Sequence, residues 1–167
     1  PSQVAGRMTD KTIIGSPWSE WRDVTPARLA LGRAGAGMPT DEVLHFGWAH
    51  AMARDAIHAA LDVPKLEEAL REQGWTVAHV HSRAPDRTTY LRRPDLGRVI
   101  DPDAIAKLRA EPIVRSDVCI VIGDGLSSLA VERHAAALLA ALKPLLVNEL
   151  QHAPVVIATQ ARVALAD

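Results

Sequence analysis

The chain has 167 residues, with 19 Lys plus Arg against 20 Asp plus Glu, a net charge of −1 at neutral pH. Hydrophobic residues make up 48% and charged residues 23%, which excludes a disordered chain, and the balanced charge argues against a general nucleic-acid binder. The single cysteine, Cys119, excludes an internal disulfide and a multi-cysteine zinc site, and points to a reducing compartment.

A length of this order suits one domain with a small appendage, large enough to bury about 70% of its unfolded surface. No apolar run approaches the ~20 residues that a membrane helix needs. Pro1-Ser2-Gln3-Val4 lacks the basic lead and apolar core of a signal peptide. With no initiator Met, a trimmed, soluble, cytoplasmic chain is expected.

Residues 1–17 show no sustained period and carry Gly6, Gly15 and Pro17, so an arm is predicted there. Thr25-Pro26 reads as a helix start, with Thr as cap and Pro in the first turn. Gly32, Gly35, Gly37 and Pro39 break any helix. Thr40 is expected to cap a helix reaching about Leu61, with Asp41 and Glu42 at the positive end of its dipole. Val43, Leu44, Trp48, Ala51, Met52 and Ile57 recur there at helical spacing, predicting a core-facing stripe. Pro64 opens a second helix ending at Gly74.

Beyond Gly74 the period shortens. Thr76–His81 predicts a strand with Val77, His79 and His81 on one face, and Thr88–Leu91 a weaker one. Asp101-Pro102 caps a helix through about Arg109, stopped by Pro112. Val118-Cys119-Ile120-Val121-Ile122 is a continuous apolar run, expected to be a strand buried on both faces with Cys119 inert in the core. Gly123-Asp124-Gly125 turns into a helix from Ser127 to Leu142. Val155–Ala158 is a further buried strand, and Arg162–Leu165 continues past a turn. Strand, helix and strand with short links imply a parallel sheet. The predicted fold class is α/β: a variable arm (1–24) and a helical region (25–74), the latter docked on a Rossmann-like, mostly parallel three-layer domain (75–167).

Three constellations could bind something. Gly32-Arg33-Ala34-Gly35-Ala36-Gly37 could cradle an anion, but no strand feeds it and it lacks a P-loop ending, so a plain connector is the stronger reading. Asp124, at the carboxyl end of a strand, either accepts a hydrogen bond from a ligand or only shapes the turn. Arg92, Arg93 and Arg98 around Pro94-Asp95 either grip an anionic partner or form a solvated loop with a local Arg–Asp pair. His50, Arg54 and His58 share a helical face. His79 and His81 share a strand face without a third ligand close in sequence, so no metal site is expected. No Gly-x-Ser-x-Gly elbow or Ser/His/Asp set is recognisable. These residues describe an α/β binding module without catalytic groups of its own.

Four ordered blocks then resemble one family. Arg28-Leu29-Ala30-Leu31-Gly32-Arg33-Ala34-Gly35, Pro39-Thr40, Phe46 and His50–Ala56 form the first. Tyr90-Leu91-Arg92-Arg93-Pro94-Asp95-Leu96-Gly97-Arg98, Asp124-Gly125-Leu126-Ser127 and Arg162-Val163 are the others. Together they are similar to the small subunit of ethanolamine ammonia-lyase. That family's enzyme depends on adenosylcobalamin and converts ethanolamine to acetaldehyde and ammonia. The resemblance implies a large-subunit partner, a TIM barrel holding substrate and most catalytic groups, in a hetero-oligomer without nucleic acid or membrane. It places the complex in the cytoplasm, free or within a bacterial microcompartment, and implies that the small subunit covers part of the cobalamin, with Val163 matching a family contact. The family's other contacts, a Glu in Gly-Glu-Arg-Pro-Gly-Leu and a later Cys, have no counterpart in these 167 residues, so a shortened C-terminal part is expected. Ala49 stands where the family usually has Asp. Two other functions compete: a stand-alone module binding a nucleotide or small anion at Asp124, and a non-catalytic scaffold.

Overall fold

The structure is a computed structural model and describes residues 13–111, 115–146 and 152–167. The predicted arm up to residue 12, and Pro112, lie outside the described residues. The chain divides into two compact units, one up to Ala53 and one from Arg54.

In the first unit, β1 (Ile13–Ile14) pairs antiparallel with β2 (Arg33–Ala34), Ile13 opposite Ala34. Gly32 makes this pairing sterically feasible. Its φ is +77° and a Cβ there would meet the Ile14 carbonyl oxygen at 2.8 Å, so only glycine combines the turn with that approach. Thr25-Pro26 does not start a helix. The Thr25 hydroxyl accepts from the Ala27 N–H at 3.2 Å, closing a local turn, and the left-handed Ala30 (φ 55°) carries the chain toward β2. The helix before Pro39 is instead a 3-10 turn at Ser19–Asp23.

Helix α1 (Thr40–His58) has Asp41 and Glu42 in its first turn as expected, but Thr40 is its first helical residue instead of its cap and it ends short of Leu61. Glu42 receives the Arg22 guanidinium at 2.8 Å. The expected core stripe is absent: α1 has no buried residue, and Leu44 and Trp48 are 66% and 71% exposed.

The second unit contains the rest of α1, then α2 (Val63–Glu72), β3 (Val77–His81), α3 (Arg87–Arg92), α4 (Pro102–Ala110), β4 (Val121–Gly123), α5 (Ser128–Leu142) and β5 (Val155–Thr159). Side-chain caps fix the helix starts. Asp62 accepts from Lys65 N–H, Asp101 from Asp103 N–H and Ser127 from Ala130 N–H, each satisfying a donor that the helix leaves orphaned. The strands form one parallel sheet in the order β3-β5-β4. β5 is central, and its alternate residues serve opposite faces. Val155 and Ile157 join Ile122 with Leu66 and Leu70 of α2 and Leu139 of α5. Ala158 joins Val80, Ala104 of α4, Ala161 and Leu165. Helices therefore cover both faces of the sheet.

Three strand expectations need correction, the shortest being Arg162–Leu165, where the chain makes a 3-10 turn at Val163–Leu165 in place of further strand. Thr88–Leu91 lies in α3, because Asp86 accepts from the Thr89 N–H at 2.8 Å and the Thr89 hydroxyl at 3.0 Å. That cap outweighs the β-propensity of Thr-Thr-Tyr. The run Val118–Ile122 is a strand only over Val121–Gly123. It is preceded by a single bridge from Val118 to His152. Because β4 is an edge strand, Val121 is 37% exposed, and Cys119 is exposed instead of inert in the core.

Candidate cofactor face at the strand ends

The carboxyl ends of β4 and β5 meet in a hydrogen-bonded turn. The Asp124 N–H donates to Ala158 O at 3.2 Å. Its side chain, 4% exposed, accepts from the Gln160 N–H at 2.8 Å and the Ala161 N–H at 3.0 Å, one on each carboxylate oxygen. These bonds hold Gln160 at φ 52°, a conformation that costs a non-glycine residue about 1–3 kcal/mol unless its surroundings enforce it. Asp124 is thus the shaper of the turn, with both oxygens engaged inside the chain.

Arg87 and Tyr90, both from α3, brace the same turn. Arg87 donates from Nε to Ile57 O at 2.6 Å and from Nη1 to Gln160 Oε1 at 3.4 Å, with Nη1 3.8 Å from Asp124 Oδ2. Tyr90 is 1% exposed and its hydroxyl donates to Ala161 O at 3.4 Å. The guanidinium carbons of Arg87 and Arg162 each lie 4.6 Å from the Tyr90 ring centroid, a cation–π geometry. Arg162 also donates from its backbone N–H to Gly97 O at 2.8 Å and from Nη2 to Tyr90 O at 3.4 Å. Gly97 is tightly enclosed: a Cβ there would lie 2.9 Å from Arg162 Cγ and 3.0 Å from the Tyr90 ring.

The product of this bracing is a corner. Val163 opens a 3-10 turn, Val163–Leu165. Val163 is 94% exposed, whereas Leu165 two residues on is 6% exposed and anchored in the core. Beside it lies a shallow, mostly apolar recess of about 240 Å³, lined among others by Val121, Gly123, Gly125, Ala161, Arg162 and Val163. Glycines at the strand ends leave room for a ligand to approach the backbone.

Comparison with known proteins decides the family. The family description "Ethanolamine ammonia-lyase light chain (EutC)" matches residues 15–167. The chain belongs to the ethanolamine ammonia-lyase light-chain family. It is 48% identical over 167 residues to the ethanolamine ammonia-lyase small subunit of Bradyrhizobium diazoefficiens, covering 96% of this chain and 62% of that one. The corresponding proteins of Azotobacter vinelandii and Xanthomonas campestris pv. campestris (strain ATCC 33913) are 47% and 46% identical, over 96% and 95% of this chain and 61% and 60% of theirs. The chain therefore spans about three fifths of the length of these relatives.

Within this light-chain fold the other predicted groups fall elsewhere. Arg93 and Asp95 form a bidentate pair at 2.9 and 2.7 Å on an exposed surface. The hydrogen bonds from Arg93 hold the Asp95 carboxyl below its ordinary 3.8. Arg33 lies in β2, in a β-turn setting and not on a helix–helix connector. His50, Arg54 and His58 are exposed along α1. His79 Nε2 lies 2.9 Å from Glu67 Oε2. His81 Nε2 lies 2.8 Å from Ala84 O and Nδ1 2.6 Å from Thr159 Oγ1, so both ring nitrogens are engaged within the chain. Among the described residues, no three His, Cys, Asp or Glu side chains are grouped to hold a metal ion. Arg87 and Tyr90 were missed as site-builders, since neither carries a motif that announces a partner about 70 residues away. No helix of the described residues is long and apolar enough to cross a membrane.

Proposed function

We propose that the chain acts as the small subunit of ethanolamine ammonia-lyase, converting ethanolamine to acetaldehyde and ammonia together with a catalytic large subunit and adenosylcobalamin. The observation that carries this reading is the family match over residues 15–167. The covered faces of the parallel sheet support its finer description as Rossmann-like and three-layered, with the ligand at the strand ends.

The residues at that end suit one part of a cobalamin. A bare valine beside an apolar recess, floored by Gly123 and Gly125, offers contact to the flat, methyl-rich edge of a corrin without a ligand for cobalt. A recess of about 240 Å³ covers only a fraction of so large a molecule. When bound, the cofactor supplies the radical chemistry. This chain's residues orient one edge of it and keep water from that edge: Val163 and Ala161 by apolar contact, Asp124 by holding the turn that presents them.

The large-subunit partner draws support from the first unit. Trp18, Trp21, Phe46 and Trp48 are 62%, 52%, 55% and 71% exposed, and at 150–250 Å² per aromatic side chain they leave about 500 Å² uncovered. Leu44, Val24 and Ile14 add to it. Leu44, Trp48 and Met52, four residues apart along one side of α1, form the uncovered apolar row that a partner surface would cover. In this reading the complex works in the cytoplasm, free or in a bacterial microcompartment, which agrees with the lack of a membrane-crossing helix among the described residues. The competing nucleotide reading is weakened because both Asp124 oxygens are engaged internally.

Co-elution with the same organism's large subunit, followed by aldehyde release with adenosylcobalamin, tests the proposal. An active complex is expected. Absence of a complex under conditions where the chain is folded would refute it.

A further inference from the structure

Val163 cannot position itself. At 94% exposure its side chain has almost no packing to fix it, so its place is inherited from the backbone on either side. Downstream, Leu165 is buried against Val80 and Ala104. Upstream, three separate stretches converge on residues 160–162. Asp124 takes both N–H groups of Gln160 and Ala161. Gly97 O takes the N–H of Arg162. Tyr90 supports the Arg162 guanidinium on its ring and Ala161 through its hydroxyl.

We infer that Tyr90, Gly97 and Asp124 are positioning residues that set where Val163 meets the cobalamin edge. This rests on the cofactor reading proposed above. The bracing is more specific than core packing requires. The left-handed Gln160 is held against its own preference, and the Gly97 backbone approaches Arg162 and Tyr90 so closely that even a methyl group would displace them. Such supporting contacts decide whether a contact residue sits at its working distance or about 1 Å away.

The test uses the purified complex with the large subunit and cyanocobalamin as probe, titrated by its visible spectrum, with thermal midpoints measured in parallel. G97A is conformationally permitted, because Gly97 does not sit at positive φ, yet its methyl group must push Arg162 and Tyr90. Its Kd for cyanocobalamin is expected to rise about tenfold or more with subunit stoichiometry unchanged, alongside the fall in midpoint that an overpacked buried position brings, while the complex stays folded at the assay temperature. Y90L, which removes the ring beneath Arg162, should behave alike, and Y90F, which keeps it, should restore affinity to within about twofold of wild type. D95A, on the exposed side of the same loop, serves as the silent control. Adding V163A to G97A should cost less than V163A costs alone, since a displaced contact has less to lose. Wild-type affinity in G97A and Y90L would overturn the inference, as would full additivity with V163A. Should the assembled wild-type complex fail to bind the probe, the cofactor reading itself falls, and this inference with it.

Discussion

Replacing Asp124 tests how the strand ends are held. Its carboxylate is 4% exposed, accepts two backbone N–H groups at 2.8 and 3.0 Å, and is the acidic group nearest Arg87, at 3.8 Å. Hydrogen bonds to a charged group contribute about 1.5–3 kcal/mol each, and removing one member of a buried pair costs about 3–5 kcal/mol because the other is left uncompensated. The terms share atoms and do not add, so D124A is expected to lose about 3–5 kcal/mol. D124N, which keeps one acceptor oxygen, should lose about half as much. Urea unfolding, followed by tryptophan fluorescence and far-ultraviolet circular dichroism, reads this directly. With m near 2 kcal/mol/M, the D124A midpoint falls by about 2 M. A double-mutant cycle with R87M should show coupling, because R87M removes the stranded charge. A D124A loss below about 1 kcal/mol with unchanged m would refute the view that this turn depends on the carboxylate.

Four other outcomes follow from single features. Cys119 is exposed, so a thiol reagent should titrate it fully in the native protein; reaction only after denaturation would restore the core reading. Asp86 caps α3 and the Thr89 N–H holds its carboxyl below the ordinary 3.8. Its contribution is therefore present above pH 3.8 and lost as pH falls through the lower folded value, so D86N should be less stable than wild type at pH 7, with the gap closing below pH 3.8 in urea midpoints. G32A places a methyl group 2.8 Å from Ile14 O at φ +77°, a strain of at least about 1–2 kcal/mol. It should speed tryptic cleavage after Arg33 more than G35A, which shares the left-handed strain at φ +60° but whose added methyl meets no atom within 4 Å. W48S should weaken co-elution with the large subunit while leaving the thermal midpoint of the isolated chain unchanged, because Trp48 packs against little within the chain.

What could be read in advance was local. Asp101-Pro102, Ser127 and the apolar run at 155–158 each carry their signal within a few residues, and the structure places a helix start, a helix cap and the central strand there. Sheet order is not local. Nothing within Val118–Ile122 says that β5 will occupy the middle and leave β4 at the edge, and for that reason the degree of burial and Cys119 were misjudged. Thr88–Leu91 was misread because β-branched propensity was weighed above Asp86, three residues before Thr89 and in capping position. Thr25-Pro26 shows the converse: a good cap signal comes to nothing when residues 30–35 need left-handed backbone. Val163 was reached through family resemblance. Tyr90, Gly97, Asp124 and Arg162 fall within the same resembling blocks, but that they brace Val163's turn was not legible, since they and Arg87 meet only after the sheet has formed.

The stripe on α1 has a different cause. Its spacing predicted a core-facing side that the chain does not bury, because periodicity alone does not say which molecule, if any, covers a helix face. Leu44, Trp48 and Met52 follow one another at four-residue intervals and are 66%, 71% and 42% exposed, so within this chain the stripe is uncovered. The first unit buries no large apolar side chain among its described residues, while the second holds two well-packed clusters. A segment that cannot offset its conformational entropy by internal burial must gain that burial elsewhere. A subunit that functions only in an assembly meets this condition, and the same logic applies at the other site: Val163 is exposed in the chain because its proposed contact lies outside it. Both features are open in the isolated chain, and the role proposed above would cover the stripe on α1 with a protein surface and Val163 with a cofactor edge.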